Sequence, residues 1–245
     1  MASVTRGAPK ELLEVAGVPV VIRVLEECAK SGITDALVVI APEKTELIER
    51  LGPIAGTRGM PANIAFAIQK EPRGLADAIR LGRAFSGGLP LAIALPDNLF
   101  SGNEPAMMQV IETHISTGKS VVAMVEISAD DAARRGPTSV YPGHIEGDEY
   151  VIDRIPGKSE RGTTFDTGGR SSAFTGVGRY VFKFDVFDAI DAVERSLPSG
   201  AELDDVPVMQ HLLLAGGLTG CRIKGKFFDV GLISGYQEAT REYGD

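Results

Sequence analysis

Leu91–Phe100 reads LAIALPDNLF. Five apolar residues, Leu91–Leu95, run without interruption into a Pro-Asp-Asn turn. An apolar run this short, closed by turn residues, is the pattern of a strand buried on both faces in a parallel sheet. ALVVIA at Ala36–Ala41 and VVAMVEI at Val121–Ile127 repeat it, and Ala62–Gln69 is a weaker fourth case. Between these runs apolar residues recur at helical spacing. Val20, Val21, Val24, Leu25 and Cys28 form one such set. Leu75, Ala78, Ile79 and Gly82 form another, and Met107, Met108, Ile111 and Ile115 a third. Strand and helix in alternation predict right-handed βαβ units and an α/β sheet.

The pattern changes after about residue 130. Val140–Ile145, Glu149–Ile155 and Gly176–Phe182 read as strands joined by Gly and Pro turns. Gly157–Ser172, GKSERGTTFDTGGRSS, is polar and glycine-rich, the composition of a long functional loop. Helical spacing returns at Phe184–Leu197 and Val206–Ala215. Cys221–Val230 alternates like a strand, and Ser234–Tyr243 closes the chain as a short helix. The expectation is one domain over residues 1–245, with an α/β half over 1–130 and a strand-rich half over 131–245. Met1–Val15 is polar, so the opening strand and phosphate-binding loop of doubly wound folds have no counterpart before the first helix.

A chain of 245 residues buries roughly 70 % of its unfolded surface and needs no staples. Hydrophobic residues at 44 % exclude disorder as the main state. No apolar run reaches a membrane span of about 18 residues, and the N-terminus lacks the apolar core of a secretory signal. Cys28 and Cys221 build no disulfide framework, which places the chain in a reducing cytoplasm. The net charge of −8 argues against nucleic acid as a partner.

Asp97 follows the Leu91–Leu95 run at the sheet edge where α/β folds bind ligands. A carboxylate there can hold a hard cation such as Mg²⁺, or it can simply shape the turn. Asp229, in GKFFDVGLISGY, could be a second metal carboxylate or the cap of the helix that follows. Lys10, near Arg6, could neutralise phosphate charge or stand in solvent. In IQKEPRGLADAI, Gln69 can read a base edge through its amide, and Gly74 allows close approach to the backbone. A plain strand-to-helix turn accounts for the same string. His114, His144 and His211 lack zinc-ligand spacing, and no GxSxG, HExxH or Walker A string occurs.

Five segments, in order, resemble the sugar-phosphate nucleotidyltransferase family, in particular its bacterial UTP–glucose-1-phosphate uridylyltransferases. They are PKELLEV with the helix after it, IQKEPRGLADAI, Ala94-Leu95-Pro96-Asp97, VGRYVF at Val177–Phe182, and FFDVGLISGYQEATREY. The resemblance implies a Rossmann-like α/β fold with a mixed central sheet, helices around it and a small β-rich sugar-binding part. It assigns nucleotide binding to 1–130 and sugar binding to 131–245. It implies Mg²⁺-dependent attack of a sugar 1-phosphate, glucose 1-phosphate first, on the α-phosphorus of UTP, with release of pyrophosphate. Asp97 and Asp229 then match metal-binding aspartates, with Asp97 and Lys10 catalytic. Gln69 and Gly74 match uracil contacts. Gly143, Lys158 and Glu202 match contacts to the sugar phosphate. Relatives of this type often form homo-oligomers. The family's Val-Glu-Lys-Pro string is replaced here by Asp153-Arg154-Ile155-Pro156-Gly157-Lys158. Its opening strand and GxGTR loop would precede Thr5–Lys10, which implies a start codon assigned too late. The alternatives are a non-catalytic nucleotide-sugar-binding paralogue and a thymidylyl- or cytidylyltransferase of the same fold.

Overall fold

The computed structural model describes residues 9–129, 132, 140–147, 149–157, 172–198 and 200–244. Its strands in chain order are β1 (Glu14–Val15), β2 (Val18–Pro19), β3 (Asp35–Ile40), β4 (Asn63–Ile68), β5 (Leu91–Ala94), β6 (Asn98–Ser101), β7 (Ser120–Ser128), β8 (Gly143–Glu146), β9 (Glu149–Ile152), β10 (Ser172–Phe182), β11 (Leu218–Arg222) and β12 (Lys226–Asp229). The helices are α1 (Val20–Lys30), α2 (Glu46–Leu51), α3 (Leu75–Arg80), α4 (Arg83–Ser86), α5 (Ala106–Thr117), α6 (Val186–Ser196), α7 (Asp205–Leu214) and α8 (Ile233–Gly244). The chain packs as two compact units, each discontinuous in sequence. The first comprises 1–72, 94–109 and 224–245, the second 73–93 and 110–223.

The first unit is organised around α1. Pro19 fixes the entry to this helix, and Gly32, in the left-handed region, ends it as Ile33 N–H returns to Cys28 O. The predicted apolar spacing gives the helix two buried stripes. Val20, Val24 and Cys28 pack with Leu99, Phe228, Val230 and Ala239. Val21 and Leu25 pack with Ile40, Leu47 and Leu51. Parallel β3–β4 and antiparallel β6–β12 are separate two-stranded sheets among the described residues.

The second unit holds a six-stranded sheet of order β5-β10-β7-β11-β9-β8. β7 and β11 are parallel, whereas β10–β7, β11–β9 and β8–β9 are antiparallel, so the sheet is mixed as expected. Val121–Met124 on the central strand are wholly buried. The β10–β7 register shifts between Val177 and Tyr180, and this bulge seats a wholly buried Arg179 whose guanidinium donates to Gly178 O at 2.8 Å. α6 turns Phe187 and Ile190 inward, and α7 turns Val208, Met209 and Leu212 inward.

Three details of the sequence reading are corrected. The runs at Ala36–Ala41 and Leu91–Leu95 form strands, but most of their residues are only half-buried. Among the described residues β3 pairs on one side only and β5 lies at a sheet edge, so each lacks the cover that β7 enjoys. Cys221–Val230 is two strands, not one, because Gly225 at φ +142° turns the chain where its missing Cβ leaves room for Ser101 O. The β1–β2 hairpin and β6 lie where no strand was expected, since each is too short to show a period.

Candidate active site

Pro9 starts a single helical turn, and Leu12 N–H donates back to Pro9 O at 2.9 Å. Val20 N–H donates to Leu13 O, and Lys44 holds Glu11 through a 2.8 Å ion pair. These ties leave Lys10 facing the end of the β6–β12 pair. Its Nζ lies 3.1 Å from Asp97 Oδ2, with both side chains partly exposed.

Pairing of β6 with β12 brings the second carboxylate to the same place. Asp229 lies opposite Asn98, one residue beyond Asp97. Val230 N–H donates to Asp97 O at 2.9 Å, which locks the register at that end. Asn98 Nδ2 donates to Asp97 Oδ1 at 3.1 Å, and Gly231 N–H donates to Asp229 Oδ1 at 3.1 Å. Asp229 therefore holds the turn after β12, as a short aspartate does, and α8 begins at Ile233.

Gly231 is the residue that lets the carboxylates share one space. A Cβ there would stand 2.9 Å from Asp229 Oδ1 and 3.9 Å from Asp97 Oδ2. Sequence reading missed Gly231 because its importance depends on a partner 134 positions away in Asp97. The electrostatics agree with the geometry. Burial lowers the affinity of Lys10 for its proton, but Asp97, then Glu11 and Asp229, outweigh it, and the ammonium pKa lies above the usual lysine value.

The Asp97 and Asp229 carboxylates, both near Gly231, are hard-oxygen donors of the kind that suits Mg²⁺. No group of three or more His, Cys, Asp or Glu suited to a metal occurs among the described residues. Mg²⁺ is commonly held by only one or two carboxylates, with phosphate oxygens and water completing its shell.

The remaining candidates divide between the units. Gln69 directly follows β4 in the first unit, half-buried, its N–H bonded to Ile40 O at 2.9 Å. Gly74 opens α3 in the second unit at φ +116°, and the carbonyl of Leu203 lies where its Cβ would be. Leu203 N–H donates to Arg73 O at 2.6 Å and its carbonyl accepts from Asp77 N–H at 3.2 Å. The close approach that a glycine permits is here made by the protein's own backbone. Glu202, exposed, immediately precedes that contact. Gly143 lies on β8, where a Cβ would strike Val151 O and the Tyr150 ring. Lys158 and nearly all of Gly157–Ser172 lie outside the described residues.

The nucleotidyl transferase family model matches residues 1–245. A Bacillus subtilis (strain 168) protein named "Putative UTP--glucose-1-phosphate uridylyltransferase" is 30 % identical over 250 residues, covering 95 % of this chain and 88 % of that protein. UTP–glucose-1-phosphate uridylyltransferase 2 of Staphylococcus saprophyticus is 28 % identical, covering 98 % of this chain and 86 % of its own. A UDP-glucose pyrophosphorylase solved in complex with UDP-glucose superposes with a TM-score of 0.78 at 22 % identity, over 98 % of this chain and 92 % of that one. That likeness shows the fold, a mixed α/β sheet flanked by helices. No helix among the described residues is long and apolar enough to cross a membrane. Since the family match spans the whole chain, this protein belongs to the nucleotidyl transferase family of enzymes.

Proposed function

We propose that this protein transfers the uridylyl group of UTP to a sugar 1-phosphate, glucose 1-phosphate first, and releases pyrophosphate. The observation that carries the reading is the meeting of Lys10, Asp97 and Asp229 around Gly231. The names of the relatives supply the nucleotide and the sugar.

In this reaction a phosphate oxygen of the sugar phosphate attacks the α-phosphorus of UTP. The bond from that phosphorus to the pyrophosphate oxygen breaks, and the electron pair leaves with pyrophosphate. The main obstacle is negative charge crowded on one phosphorus. Mg²⁺ bound by Asp97 and Asp229 would neutralise part of that charge and act as a Lewis acid. Lys10 is the protein's own cation at the same place, a point charge suited to phosphate oxygens. Gln69 and Gly74 are the proposed contacts to uracil, with Gln69 reading the base edge. Gly143, Glu202 and Lys158 are the proposed contacts to the sugar phosphate.

The test is Mg²⁺-dependent pyrophosphate release from UTP plus glucose 1-phosphate. Release that falls sharply when dTTP or CTP replaces UTP supports the uridylyl reading. Equal or faster release with dTTP or CTP assigns a different nucleotide. No release, with UDP-glucose still bound, would replace catalysis by nucleotide-sugar binding.

A further inference from the structure

Glu202–Asp205 is tied to three parts of the second unit by contacts that the proposed chemistry does not use. Leu203, wholly buried, makes its two backbone hydrogen bonds to the Arg73–Asp77 turn, over the space left by Gly74. Asp204 Oδ1 accepts from Asp205 N–H at 2.9 Å and so caps α7. Asp205 Oδ2 accepts from the Tyr180 hydroxyl at 3.2 Å. Tyr180 is buried in β10 just past the bulge, its ring stacked on Phe182 at 5.4 Å between centroids. The Asp205 carboxyl thus links a surface loop to a rigid strand.

We propose that Asp205 is a positioning residue: through Tyr180 and Asp204 it keeps the 202–205 segment docked on the Arg73–Asp77 turn, and so sets where Glu202 stands toward the sugar phosphate. The substrate part of this proposal rests on the uridylyl-transfer reading; the docking part does not.

The groups facing this carboxyl are Asp204 on its own loop, Tyr180 on β10 and Tyr141 from the segment before β8. None of the three is a cation. Burial, and then the Asp204 carboxyl beside it, push Asp205 up to about 7. Below that pH it carries a proton and can share it with Asp204. Above it two carboxylates stand side by side and the segment is repelled from its dock.

The experiment compares wild type, Asp205→Asn and Tyr180→Phe from about pH 6 to about pH 8.5. It reads initial rates with UTP and glucose 1-phosphate, and amide exchange at Leu203 and Asp77 corrected for intrinsic rates. The substrate's own phosphate titration is common to all three proteins and cancels in ratios. The KM for glucose 1-phosphate, wild type over Asp205→Asn, should rise about fivefold across this range, with the kcat ratio near one. Exchange at Leu203 and Asp77 should speed up with pH in wild type and not in Asp205→Asn. Tyr180→Phe should raise exchange at both amides throughout the range. A KM ratio that stays flat overturns the positioning role, whatever the exchange shows. Unchanged exchange in all three proteins overturns the docking itself. Should wild type make no UDP-glucose at all, the uridylyl reading fails separately, and the exchange measurement alone decides the docking.

Discussion

Two pairs of aspartates, one in each unit, are put to opposite uses. Asp97 and Asp229 lie at strand ends, partly open to water, with the Lys10 ammonium 3.1 Å from Asp97. Asp204 and Asp205 lie at the start of α7 among tyrosines, and Asp205 is pushed up to about 7. The first pair has water and the Lys10 ammonium for company. The second relieves its charge by holding a proton, because burial and a neighbouring carboxyl both disfavour ionisation. The same side chain thus stands beside an ammonium in one setting and among tyrosines and a second carboxyl in the other.

The sharpest way to break the comparison is to remove charge from the open pair. Asp97→Asn should cut Mg²⁺-dependent turnover by roughly 10²–10³-fold while the melting temperature changes little. Turnover within a few-fold of wild type would take Asp97 out of the metal site. A smaller effect should follow from crowding the pair without changing its charge. Gly231→Ala would bring a methyl group against Asp229 Oδ1, forcing that carboxylate to shift. It should raise the Mg²⁺ concentration for half-maximal rate by about tenfold, and an unchanged Mg²⁺ dependence would show that the carboxylates do not act together.

The smallest effect concerns the closed pair and is read as stability. Asp205 has a raised pKa in the folded protein, so between about pH 4 and about pH 7 the native state keeps a proton that the unfolded chain releases. The unfolded state then binds fewer protons, and native stability falls as pH rises through that window. Asp205→Asn lacks this slope. Its melting temperature relative to wild type should improve by about 5 °C from pH 4 to pH 8. A difference that does not vary with pH would show that the fold does not raise the Asp205 pKa.

Much of the architecture was legible in the chain. Val121–Ile127 announced a buried central strand, and the Val20–Cys28 spacing announced an amphipathic helix. Both are local signals, since period and apolar content need no distant partner. Burial of β3 and β5 was overestimated because a strand's cover depends on its neighbours in the sheet. The site was legible as types of residue in suggestive places: Asp97 after an apolar run, Asp229 after a late strand, Lys10 after Pro9.

What those residues do together was decided by the fold. Only the β6–β12 register brings Asp229 beside Asp97, and only then does Gly231 acquire a purpose. Gly74 teaches the converse. Its sequence setting gave no sign that the Leu203 carbonyl, far along the chain, lies where its Cβ would be. Asp205 carried no signal at all, because its raised pKa comes first from burial and then from Asp204, and burial is set by distant parts of the chain such as the strand that carries Tyr180. Periodicity and turn chemistry act over a few residues and are written in the chain as local pattern. Shared space and shared charge arise between residues a hundred positions apart, and only tertiary packing brings them within reach of one another.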